Sequence, residues 1–188
     1  MRRWVILDAY KGQFLVPIYS YRPEKFSFIL KAGEEAYLAL RERTAQAITQ
    51  AVADGYNQFM CGMADGFDLV AGSALLELKE KRADMTGIQL IAVLPFAGHG
   101  FSSPWQVVHQ LVLGRADEVV TLAPKYHHQA YHDRNRYMVD RSGRLICYYD
   151  GQKGGTAYTV RYAIKSGLEV INTAELKDGN DPVLRLAT

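Results

Sequence analysis

The run Ile88-Gln-Leu-Ile-Ala-Val-Leu94 leaves a strand almost no polar face to turn towards water. A strand covered on both sides belongs to a parallel sheet, because the crossover helices of such a sheet lie on both of its faces. The pattern around this run agrees. Phe59–Cys61, Glu118–Leu122, Leu145–Tyr149 and Val170–Asn172 read as further strands. Helical stripes fall between them, at Tyr37, Leu40, Thr44, Ile48, Ala51 and Val52, with Gly55 as a stop, and at Phe67, Val70, Ala71, Ala74, Leu75 and Leu78. Trp105, Val108, Leu111 and Val112 continue as a helix behind an N-cap at Ser103-Pro104, and a further helix is expected from about Asp133 to Arg141. Phe14–Tyr19 reads as the first strand, with Pro17 confining it to an edge or an early end. The expectation is a three-layer α/β sandwich with a mostly parallel central sheet and right-handed crossovers.

A chain of 188 residues, 48% of them hydrophobic, suits one full-sized core and not two. We therefore expect a single domain over 1–188, with its core at about 14–172 and a peripheral tail at 173–188. The 22 basic and 20 acidic residues are scattered and leave a net charge of +2, so no basic stripe advertises nucleic acid. Cys61 and Cys147 each sit inside an apolar strand, where a thiol acts as a small hydrophobe, and this fits a reducing cytoplasm. The apolar run after Arg2-Arg3 breaks at Asp8, too early for a signal-peptide core. No run approaches the ~18 apolar residues of a membrane span.

In a parallel α/β sheet ligands bind beyond the carboxyl ends of the strands. Three turns are expected on that rim: Gly62-Met-Ala-Asp-Gly66, the loop from Pro95 to Phe101, and Gly151-Gln-Lys-Gly-Gly-Thr156. The last places Gly154, Gly155 and the Thr156 hydroxyl at a helix start, where bare backbone N–H groups and the helix dipole suit a phosphate. It lacks the Gly-Lys-Ser/Thr order of a Walker loop, and a plain strand-to-helix turn accounts for it equally well. Asp68 in a first helical turn suits either a ribose hydroxyl or the helix dipole. Arg134 suits a phosphate or carboxylate, or stands as a solvated helix residue. His127, His128 and His132 have a spacing open to metal but no Cys or acidic partner to complete a site, so no metal is expected. Ser102 and Ser103 beside His99 lack the nucleophile elbow. Phe96, Phe101, Tyr126 and Tyr131 on the rim loops suit a stacked base or a subunit contact.

The order Gly62-x-Ala-x-Gly66-x-Asp68-x-x-Ala71, then Pro95-Phe96, then Arg134-Asn-x-x-Met138-Val-Asp140, then Asp150-Gly-x-x-Gly-Gly-Thr156 resembles the SLOG superfamily of Rossmann-like nucleotide-binding proteins. This superfamily includes the lonely-guy-type phosphoribohydrolases. Within it the chain is most similar to a bacterial and phage group with a Gly-His-Arg-Pro motif after the first strand. Here that motif reads Ser20-Tyr21-Arg22-Pro23-Glu24-Lys25, which keeps the arginine, proline and lysine.

The resemblance implies a nucleotide or nucleotide-derived ligand held by Arg22, Gly62, Gly66, Asp68, Pro95, Arg134, Asp140, Gly154, Gly155 and Thr156, and a homo-oligomer. The lonely-guy enzymes carry a glutamate three residues after the Gly-Thr, and Thr159 stands there instead. A hydroxyl cannot supply the negative charge that an oxocarbenium-like state needs. The expectation is binding, as a sensor or regulatory module. The alternatives are an N-glycosidic hydrolase that uses Asp68, Asp140 or Asp150, and an accessory factor that contacts DNA or protein.

Overall fold

A computed structural model of the chain describes residues 4–9, 34–100 and 105–174. Strands and helices alternate through β1 (Trp4–Ala9), α1 (Glu34–Ala53), β2 (Gln58–Cys61), α2 (Phe67–Lys81), β3 (Gln89–Leu94), α3 (Gln106–Gly114) and β4 (Glu118–Thr121). They continue through α4 (Ala130–Arg141), β5 (Arg144–Tyr148), α5 (Gly155–Lys165) and β6 (Glu169–Asn172). Every neighbouring pair is parallel, in the order β4-β3-β2-β1-β5-β6. The expected three-layer α/β architecture is the fold.

Side chains alternate across the sheet with the period of a strand. Val5, Leu7, Phe59, Cys61, Leu90 and Ala92 point into one core with α1, α2 and α3. Ile6, Met60, Ile91, Val93, Leu145 and Cys147 point into the other, beneath Met138 and Val139 of α4 and Val160 and Ala163 of α5. The stripe of α1 faces inward as its spacing predicts, and the buried Thr44 hydroxyl is satisfied by donating to the Leu40 carbonyl at 2.8 Å. Gly55 ends this helix with φ 91°, in the left-handed region that glycine enters without steric cost.

The strand at the centre of the sheet is one that the sequence did not announce. Phe14–Tyr19 lies outside the described residues, as do Ser103 and Pro104. Trp4–Ala9 runs between β2 and β5. Only four apolar residues, Trp4 to Leu7, stand between charged neighbours here. Four suffice because the sheet covers Val5, Ile6 and Leu7 on both faces. α4 also begins a turn earlier than expected, with Ala130 fully buried.

Because all strands run the same way, their carboxyl ends share one rim. The Gly62–Gly66 turn follows β2, the Pro95 loop follows β3, and the Gly151–Gly154 turn follows β5. The strand order reverses between β1 and β5, which is where such sheets open a crevice.

Candidate functional site

The turn after β2 is held by a buried charge pair. Arg134 of α4 reaches over the end of the strand to donate to the Gly62 carbonyl, and its Nη1 lies 3.4 Å from Asp68 Oδ2 of α2. Both side chains are enclosed, Arg134 at 4% exposure and Asp68 at 0%. Asp68 Oδ2 also accepts the Ala64 N–H at 3.1 Å, which ties the turn to the first turn of α2. A Cβ at position 62 would stand 2.7 Å from Asp68 Oδ2 and 2.9 Å from the Arg134 guanidinium carbon. Glycine is required there to admit Arg134, whereas the sequence suggested that it admits a ligand.

Gly66 closes the turn at φ 99°, ψ −128°, a conformation reserved to glycine. Between the two glycines, Met63 holds φ 60° although it is fully buried. It is the one non-glycine residue with positive φ among those described. A bulky side chain in that region costs about 1–3 kcal/mol and persists only where its surroundings fix it.

The turn after β5 carries the opposite character. Gly154 and Gly155 are exposed, and a Cβ built on Gly155 would meet nothing within 4 Å. The start of α5 is therefore open, with free backbone N–H groups at the positive end of the helix dipole. Thr156 in its first turn is only 3% exposed, and its Oγ1 has no hydrogen-bond partner. The Asp150 carboxylate is exposed and accepts the Gln152 N–H at 3.0 Å. Asn172 fixes the end of β5 by accepting the Tyr149 N–H and donating to the Tyr149 carbonyl, each at 2.9 Å.

Thr159, in the position of the expected glutamate, is 1% exposed. It accepts the Asn135 Nδ2–H at 2.7 Å and donates to the Gly155 carbonyl at 3.1 Å. Asn135, which the sequence reading passed over, is buried, and its Oδ1 is unpartnered. Arg134 Nε is a third enclosed polar atom with no partner. An enclosed polar atom without a partner costs about 1–3 kcal/mol. The signal that would have found Asn135 is its place beside Arg134 on a helix that packs against the glycine-rich turn.

The other predicted positions separate. Pro95 is buried at the end of β3. Asp140 is exposed near the C-terminal end of α4, away from the rim, and accepts the Tyr162 hydroxyl at 2.7 Å. Arg22 and Phe101 lie outside the described residues. Phe96 makes edge contacts with His99, Tyr126 and Tyr131 at 5.3, 5.5 and 6.1 Å, so three of the four predicted rim aromatics form one cluster over β3 and β4. His99 adjoins His109 of α3 at 5.8 Å, and burial holds the His109 imidazole below its usual range. The histidines read for metal diverge. His132 packs edge-on against Tyr158 at 4.7 Å, while His127 Nε2 lies 3.8 Å from Asp133.

An open parallel sheet with a strand-order reversal, a glycine-bare helix start and a second glycine turn on the same rim defines a Rossmann-like α/β protein with a crevice at its carboxyl edge. The YpsA family model, described as the YspA SLOG family, matches residues 16–173, and the chain belongs to that family. The fold is similar to that of DNA processing protein A (DprA) from Streptococcus pneumoniae, with a TM-score of 0.55 and 14% identity. The match covers 97% of this chain and 54% of that one, so the chain spans about half the length of this neighbour. No curated protein matches the chain.

Proposed function

We propose that the chain binds a nucleotide or nucleotide-derived phosphate ligand at the carboxyl rim, with the phosphate on the N-terminus of α5, and that it acts as a sensor or regulatory module. The observation that carries this reading is Thr156, whose enclosed hydroxyl lacks a partner in the first turn of a helix that begins with two exposed glycines. Backbone N–H groups, a hydroxyl and the dipole then converge on one anion. Membership of a SLOG family supports the same class of ligand.

Binding in place of turnover is favoured by the rim carboxylates. Thr159 supplies none, and Asp68 is committed to Arg134 and the Ala64 N–H. A second reading, N-glycosidic hydrolysis, rests on Asp150, which is exposed immediately before the glycine turn. Contact with DNA, which the name of the structural neighbour suggests, finds little support in a net charge of +2.

The test is a thermal-shift series with AMP, ADP, ADP-ribose, NAD, cyclic dinucleotides and inorganic phosphate. A ligand at 100 times its Kd stabilises the fold by about 2.7 kcal/mol, a rise of several degrees. Gly155→Asp is the control, since open space surrounds that position and only the anion site is changed. The expected outcome is a rise with a nucleotide that disappears in a folded Gly155→Asp protein. No rise with any compound would overturn the reading, and release of free base would move it to the hydrolase.

A further inference from the structure

The hydrogen-bond chain from α4 into the first turn of α5 fixes which atom Asn135 presents. The single Thr159 hydroxyl proton is used on the Gly155 carbonyl at 3.1 Å, so the Thr159 oxygen can only accept. The amide group that faces it at 2.7 Å must therefore be the NH2 of Asn135. This leaves Asn135 Oδ1 as an acceptor with no donor, on a side chain 7% exposed, one residue from Arg134 and against the turn that holds Thr156. Thr156 and Thr159 are three apart on α5 and so share a face, with Cβ atoms about 5–6 Å from each other.

The dianion of a phosphate ester, which has no proton to donate, cannot satisfy this arrangement. Its oxygens suit the helix N–H groups and the Thr156 hydroxyl, but they repel a carbonyl oxygen. The ligand that completes the site carries a hydrogen-bond donor close to its anionic group. A sugar hydroxyl meets this need, because it can donate to the carbonyl oxygen.

Resting on the reading that α5 holds a phosphate, we infer that Asn135 Oδ1 accepts a hydrogen bond from a pentose hydroxyl, which makes the site selective for ribose phosphates over their deoxy counterparts and over free phosphate. The Asp68 carboxylate, which the sequence offered for that hydroxyl, is occupied by Arg134. Asn135 takes the role in its place. Thr159 is a positioning residue that holds the amide in the orientation required.

Isothermal titration of the full chain with AMP, 2′-deoxy-AMP, 3′-deoxy-AMP and inorganic phosphate tests the inference without any variant. A site built around a hydroxyl rejects the analogue that lacks it, because its own polar group is then left unpaired. AMP should bind at least about tenfold tighter than one of the two deoxy forms and tighter than phosphate. In Asn135→Ala, AMP should fall to the affinity of that deoxy form, while the deoxy form itself is unchanged. Equal affinity for AMP and both deoxy forms, with binding lost in Gly155→Asp, would overturn the hydroxyl contact and leave the phosphate site standing. No binding of any of the four would overturn both.

Discussion

Gly62, Asp68 and Arg134 show how a residue that looks like a ligand contact becomes part of the scaffold. The sequence offers a glycine, a carboxylate and a guanidinium on one rim, and each suits a nucleotide. The fold brings the three together and pairs them with one another. Their pairing joins positions far apart in the chain, which periodicity and spacing cannot see. Removing one partner leaves a charge buried and uncompensated, so Asp68→Asn and Arg134→Met should each destabilise the fold by about 3–5 kcal/mol. The double variant should lose clearly less than the sum, and urea denaturation of all four proteins measures the difference. His109 makes a pH-dependent contribution of its own. Burial lowers its folded-state pKa, so the unfolded chain takes up the proton first. The stabilisation is complete above the unfolded value near 6.5 and is lost as pH falls through it towards the folded value. The melting temperature should drop as pH falls below about 6.5, and His109→Gln should flatten that drop.

At the level of elements, the amphipathic helices were legible because burial imposes a period of 3.6 on them, and α1 and α2 present the stripes that the sequence announces. The glycine-rich turns were legible as strand-to-helix connections, but not in their roles. One is filled by an arginine and the other stands open. The position of Thr159 was legible only through the resemblance to a family. Its environment explains why a glutamate does not simply fit. A carboxylate there would lose the bridge between Asn135 and the Gly155 carbonyl and sit uncompensated at an enclosed site. Thr159→Glu should therefore lower stability by about 3 kcal/mol or more, read from its denaturation midpoint.

For the whole molecule, the layer architecture followed from strands without a polar face, and the parallel sheet bears this out. The sequence reading missed the strand that organises the sheet. β1 has four apolar residues between charged neighbours, and its strand character comes from the two neighbours that pair with it rather than from its own composition. Deleting Trp4–Ala9 should abolish cooperative thermal unfolding, since it splits the sheet between β2 and β5, and circular dichroism with a melting curve checks this. The same centrality shapes how the protein is made. β1 leaves the ribosome ahead of every other described strand, yet Val5 pairs with Arg144, which follows only after three further strands and four helices. One flank of an apolar strand thus stays unpaired until β5 emerges, a long wait for a non-local contact. The nascent chain should be a better client for chaperones than the finished fold would suggest.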